Sequence, residues 1–199
     1  MSIKRESTTR CNCVNLFSTF EKYENTRLLR MITKAILENV SQLNKLINSA
    51  YRGESSKKGW TPEANILEGL RTTEEELTET IQDHKNTILK FTENNQIIGC
   101  VLLVEKEQQL YLGMLTVSPE LQNSGVGKKL LQQAEIHALE LGLHKIVMTV
   151  ISVRKELIAW YKRNGYEDTG TKEPFPASDV HIPITEEPLE FIVMEKRIG

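Results

Sequence analysis

The sequence predicts a mixed α/β domain, and three observations carry that expectation. Residues 110–141 pass from an apolar strand through a glycine-bearing loop into a helical pattern. Residues 145–170 run as a β-branched strand, an amphipathic helix, a glycine and a second extended stretch. Upstream, two strand-like runs flank Asn94-Asn95, a pair suited to a tight hairpin turn. At 199 residues the chain is long enough for one domain with a sizeable core.

In chain order, residues 1–25 are polar and aperiodic and are expected to form a flexible extension, leaving 26–199 as a single domain. Arg27–Thr33 is the first strand candidate. The next segment, Leu37–Ala50, has Leu37, Val40, Leu43, Leu46 and Ile47 on one helical face. Tyr51–Trp60 is a polar, glycine-bearing loop, and Pro62 suits the first turn of a short helix reaching Leu70. Thr73 and Glu76 have capping-box spacing, which opens a helix to about Asp83. Thr87–Thr92, Ile97–Glu105 and Leu110–Val117 read as strands. Val126, Leu130, Ala134, Ala138 and Leu141 then recur at helical spacing, with Leu131 on the flank. Lys145–Ile151 is a strand, Glu156–Asn164 a helix, and Gly165 suits the left-handed position that ends one. Tyr166–Gly170 and Leu189–Lys196 supply late strands. Pro174, Pro176 and Pro183 argue against regular structure between them.

The stretch LYLGMLTVSPELQNSGVG, Leu110–Gly127, carries the most chemistry. Strand, glycine loop and helix N-terminus in succession make a place for phosphate, because the first helical amides have no intrahelical partners. Lys128 and Lys129 add positive charge just inside the helix. A nucleotide P-loop is excluded: Gln122 stands where its first glycine belongs and Lys129 where its hydroxyl residue belongs. A dinucleotide fingerprint is excluded by Leu130 in place of the third glycine.

What remains, Gln122-x-x-Gly125-x-Gly127, resembles the [QR]-x-x-G-x-[GA] loop of the Gcn5-related N-acetyltransferase (GNAT) superfamily. A second element, WYKRNGY at Trp160–Tyr166, resembles the [FY]-Y-x-x-x-G-[FY] ending of that family's fourth helix. The resemblance covers roughly residues 26–198. It implies a mixed, mostly antiparallel sheet flanked by helices and splayed between the fourth and fifth strands, here Leu110–Val117 and Lys145–Ile151. It also implies acetyl-coenzyme A as co-substrate and transfer of its acetyl group to an amine. Backbone groups of Leu115, Thr116 and Val117 would hold the acetyl oxygen and the pantetheine arm. The loop Gln122, Asn123, Ser124, Gly125, Val126, Gly127 and Lys128 would hold the pyrophosphate.

Tyr161 takes the place of the family tyrosine and is the expected general acid, since a phenol stays protonated at neutral pH. An aromatic core residue is the alternative at that position. Arg154 stands where many members carry asparagine; it could reach a phosphate or a substrate carboxylate, or lie solvated at a helix start. No general base is evident; Glu93, Glu105 and Glu120 lie near strands of the sheet. Acceptor specificity is expected from Tyr51–Thr61 and Pro174–Pro188. There Tyr51, Arg52, Trp60, Phe175 and His181 could form an aromatic, partly polar pocket, with Arg52 facing an acidic acceptor. A small-molecule amine is the leading acceptor. A protein N-terminus or lysine is the second, and a coenzyme A-binding sensor without turnover is the third.

Bulk properties narrow the classes. A net charge of −2 and a pI near 6.1 give no general basic surface for nucleic acid. No apolar run approaches the roughly 18 residues of a membrane span, and the N-terminus lacks the apolar core of a secretory signal. Three cysteines, an odd count, fit a reduced, cytoplasmic setting. Neither these nor the four histidines show metal-site spacing. Late strands are where many proteins of this fold pair as homodimers.

Overall fold

In the computed structural model the described residues are 31–52, 63, 66–176, 182–184 and 188–199. Trp60, His181 and the polar extension lie outside them. Among the described residues a seven-stranded sheet forms the frame. Its strands are β1 (Ile32–Lys34), β3 (Asn86–Glu93), β4 (Gln96–Lys106), β5 (Gln109–Val117), β6 (Lys145–Ile151), β9 (Glu190–Arg197) and β7 (Glu167–Pro174), in that spatial order. Every pairing is antiparallel except β5–β6, which is parallel and registers only Leu110 with Ile146 and Tyr111 with Val147. Beyond those positions the two strands diverge. The Tyr111 hydroxyl spans the start of the gap to Thr149 Oγ1 at 2.9 Å.

Alternation along the strands explains why both faces are covered. Leu89, Phe91, Val101 and Leu103 face one side and join Val126, Leu130, Leu131, Ala134 and Ala138 of helix α3 (Val126–Glu140). Ile88 and Cys100 face the other side. There they meet Val40, Leu43, Leu46 and Ile47 of α1 (Val40–Tyr51) and Leu77 of α2 (Glu74–Gln82). A period-2 strand with apolar residues at both parities must be buried on both faces.

Local signals appear where the sequence placed them. Thr73 caps α2 by accepting from the Glu76 amide, and Glu76 accepts from the Thr73 amide. Asn94 and Asn95 both have positive φ, 49° and 65°, as the tight β3–β4 hairpin requires. Both major ligand-side helices end in a Schellman motif. In α3 the Leu143 amide donates to Ala138 O and Gly142 to Leu139 O. In α4 (Lys155–Arg163) the Tyr166 amide donates to Tyr161 O and Gly165 to Lys162 O.

Several expectations need correction. Residues 27–30 of the first strand candidate lie outside the described residues; of the rest, Met31 is helical and the strand is Ile32–Lys34, paired with β3. Leu37 belongs to a 3-10 turn, Leu37–Asn39, whose tighter winding swings it out to 47% exposure. Leu141 is the C-cap of α3 and exposed, and Leu143 takes the buried place. Where a short helix to Leu70 was expected, Leu67–Glu68 form a strand, β2, paired with β8, Ile182–Pro183. The proline-rich connection therefore holds a short pairing, and Pro174 ends β7. No helix among the described residues is long and apolar enough to cross a membrane.

Candidate active site

A β-bulge on β5 sets the centre of the site. Cys100 pairs with Thr116 and Leu102 with Gly113, so Met114 and Leu115 together oppose Val101 alone. The extra residue forces Met114 to φ 50°, and Thr116 Oγ1 steadies it by donating to Met114 O at 2.9 Å. Opposite the bulge, the Tyr51 hydroxyl at the end of α1 donates to Leu115 O at 2.7 Å. Burial, then the nearby Glu63 carboxylate, holds the Tyr51 phenol above its ordinary pKa.

From the bulge a cavity of about 320 Å³ runs to the N-terminus of α3. Leu115, Thr116, Val117, Gln122, Asn123, Gly125, Val126, Gly127, Lys128 and Arg154 line it, with Trp160 and Tyr161 on the α4 side. Gly125 is the N-cap of α3 at φ 85°, and it has no side chain to occupy the first amides. The first intrahelical bond comes only from the Lys129 amide to Gly125 O. The amides of Val126, Gly127 and Lys128 are thus left to an anion, and no acidic residue stands in that first turn. These features fit a pyrophosphate.

Two neighbouring residues depart from expectation. Ser124 turns back, its hydroxyl donating to Leu121 O at 2.5 Å and its amide to the same oxygen at 3.3 Å, and it does not line the cavity. Lys129 lies over the Phe91 ring, 5.8 Å from its centroid, leaving Lys128 on the cavity. The two glycines also differ. A Cβ on Gly127 would meet Trp160 and Val117 at 3.4–3.6 Å, ordinary contact, whereas any side chain on Gly125 is strained by its φ. Gly125→Ala should therefore weaken coenzyme A binding about tenfold and cost about 1 kcal/mol of stability. Gly127→Ala should stay within about 0.5 kcal/mol on both counts. Calorimetric titration and thermal unfolding check this, and equal losses would refute the assigned loop geometry.

Tyr161 sits at the hinge of the site. The Schellman turn at Gly165 folds Tyr166 back, so the two rings meet edge to face at 5.7 Å, and Trp160 contacts Tyr161 at 5.0 Å. Burial raises the Tyr161 phenol well above its ordinary pKa; the adjacent Tyr51 adds to this and the Arg154 guanidinium opposes it. Its proton-bearing form is the resident one.

A second cavity, of about 470 Å³, opens in the splay between β5 and β6. It shares Tyr51, Leu115, Arg154, Leu157 and Tyr161 with the first. Tyr111, Thr149, Arg71, Glu76, Phe175 and Phe191 also line it. Phe175 packs on Phe191 at 5.1 Å.

The sequence reading missed Glu63. It is 6% exposed and takes Arg52 Nη1 on one oxygen and Arg154 Nη1 on the other, both at 2.6 Å. Arg154 is therefore an ion-paired wall of both cavities rather than a solvated residue. Arg52, 7% exposed, lies behind the wall and lines neither cavity. Its Nη1 is engaged by Glu63, and the guanidinium does not reach the cavity where an acceptor was expected. Glu93, Glu105 and Glu120 are exposed and line neither cavity. Among the described residues the carboxylates that line the second cavity are Glu63 and Glu76. Among the described residues no group of three or more potential ligands is placed to hold a metal.

An uncapped helix, a bulged strand and a splayed sheet meet at one tyrosine, the arrangement that the resemblance to the acetyltransferases implies. The chain belongs to the acetyltransferase (GNAT) family, whose model matches residues 43–166. It is similar to the probable N-acetyltransferase 14 of Xenopus tropicalis, 36% identical over 80 residues. That match spans 39% of this chain and 39% of the relative, well under half its length. Among solved structures it resembles the ribosomal-protein-S18-alanine N-acetyltransferase of Escherichia coli, with TM-score 0.63 and 15% identity over 84% of this chain and 93% of that one. It also resembles the PaiA N-acetyltransferase of Thermoplasma acidophilum in complex with coenzyme A, with TM-score 0.61 and 19% identity over 83% and 97%. At these identities the structural likeness concerns the fold.

Proposed function

We propose that the chain moves the acetyl group of acetyl-coenzyme A to the primary amine of a small molecule by direct attack. The observation that supports this is the meeting of two cavities at Tyr51, Leu115, Arg154, Leu157 and Tyr161. One ends at phosphate-ready amides; the other has the size of a small-molecule chamber.

Acetyl-coenzyme A supplies an acyl thioester that is already activated, so the chain needs no nucleophile of its own. The amides of Val126–Lys128 would hold the pyrophosphate, and backbone groups of Leu115–Val117 the acetyl oxygen and the pantetheine arm. The neutral acceptor nitrogen bonds to the acyl carbon as the carbon–sulphur bond breaks. Tyr161 then gives its phenolic proton to the departing sulphur. The surplus proton on nitrogen leaves through the acceptor cavity, and the phenol is restored from solvent.

The test is amine-dependent release of coenzyme A across polyamines, amino acids, aminoglycosides, arylamines and short peptides. Release with small amines supports the proposal. Release with peptides alone would move the acceptor to a protein, as the name of the Escherichia coli neighbour describes for that enzyme. Tight binding without release would leave a coenzyme A-binding sensor.

The pH profile follows from the Tyr161 shift. The active form bears the proton, and burial raises the pKa, so alkaline pH does not remove the acid below the ordinary phenol value of about 10. Rising pH meanwhile frees the acceptor amine. The expected kcat/KM rises with pH and shows no descending limb below about pH 10. A fall centred near neutrality would take Tyr161 out of this role.

A further inference from the structure

We infer that the acceptor carries an anionic group, a carboxylate or a phosphate, set apart from its amine, and that Arg71 receives it; this rests on the transfer reading above. Arg71 lines the acceptor cavity, and its guanidinium lies over the Tyr51 ring, 5.4 Å from the centroid. No acidic side chain among the described residues pairs with it.

Its place is built rather than incidental. Asn48, on the same helix as Tyr51, accepts from the Arg71 amide at 2.7 Å and donates to Thr72 O at 2.9 Å. Asn44, one turn earlier, donates to the same Thr72 oxygen at 3.1 Å. The segment is thus pinned to α1, and one tyrosine ring separates Arg71 from the Leu115 carbonyl at the bulge. An acceptor spanning that interval can present its amine at the bulge and its anion to the guanidinium fork.

The way the charges pair around the cavity leaves Arg71 open to an anion. Among the described residues that line it, two guanidiniums, Arg71 and Arg154, stand with two carboxylates, Glu63 and Glu76. Glu63 is occupied on both oxygens by arginine. One oxygen of Glu76 accepts from Thr72 Oγ1 and the Thr73 amide. The charge of Glu63 is thus matched within its own cluster, and Arg71 is the cavity guanidinium with which no acidic side chain among the described residues pairs.

The test is calorimetric titration of the coenzyme A-bound protein with ω-amino carboxylates, ω-aminoalkyl phosphates and alkylamines of matched length, with turnover measured on the same compounds. The wild type should bind one of the anionic series about tenfold or more tightly than the alkylamines. Whichever anionic series binds more tightly identifies the group. Arg71→Gln should bring that ratio near one, and Arg71→Lys should restore it only in part. Equal affinities in the wild type, no measurable binding of the anionic series, or a preference that survives Arg71→Gln would overturn the inference. An Arg71-dependent preference without turnover would retain it and refute acetyl transfer alone.

Discussion

Tyr161→Phe is expected to lower kcat about a hundredfold while leaving coenzyme A affinity nearly unchanged. The substitution removes only the hydroxyl. The ring contacts to Trp160 and Tyr166 remain, as does the Tyr161 carbonyl that accepts the Tyr166 amide. A loss of rate therefore reports on the proton and not on the wall. Tyr51 is the internal control, because its phenol also lines both cavities. Its proton is committed to Leu115 O at 2.7 Å, so Tyr51→Phe should disturb the bulge and leave that carbonyl short of a donor. Steady-state kinetics on the two variants separate the roles. A Tyr161→Phe enzyme with wild-type kcat would assign the sulphur's proton to another donor.

Glu63→Ala should destabilise the fold by about 3 kcal/mol or more, seen as a lower midpoint in urea unfolding. The carboxylate bridges the Arg52 guanidinium, which is buried, and the Arg154 guanidinium, which is largely buried, and removing it sets two like charges side by side. Arg52→Met should cost distinctly less. Glu63 then keeps Arg154, and the removed charge is replaced by apolar volume of comparable length. Equal costs for the two variants would mean that the carboxylate is not the organising member of the cluster. Because Arg154 also lines the cavity proposed for coenzyme A, Glu63→Ala should weaken that ligand as well.

Features whose chemistry is complete within a few residues could be read from the chain. The Thr73–Glu76 box, the Asn94-Asn95 turn and the glycine that ends α4 each depend on neighbours two to five positions away. The loop at Gln122–Gly127 was legible for the same reason, except that Ser124 spends both donors on Leu121. Features made by distant partners were not. Leu67–Glu68 become a strand only because Ile182–Pro183 arrive beside them. Glu63 joins Arg52 across 11 positions and Arg154 across 91, and no periodicity marks a residue whose environment is two guanidiniums. Arg52 was misplaced for that reason: an arginine in a polar loop reads as a surface charge until its partner is located. The importance of Arg71 was hidden likewise, since two asparagines on another element position it.

The narrow seam between β5 and β6 bears on how the molecule comes apart. In hydrogen bonds, one half of the sheet, β1-β3-β4-β5, meets the other, β6-β9-β7, through two registered residue pairs and the Tyr111–Thr149 bond. Ladder cooperativity hardly crosses so short a join, which leaves the core that Ile146, Met148 and Met194 share with Val101, Leu103 and Leu112 to couple the halves, and the two should open with different free energies. A molecule lodged in the wedge touches strands of both halves at once. Filling it would weld them into one cooperative block, so substrate would change the order of unfolding as well as the stability.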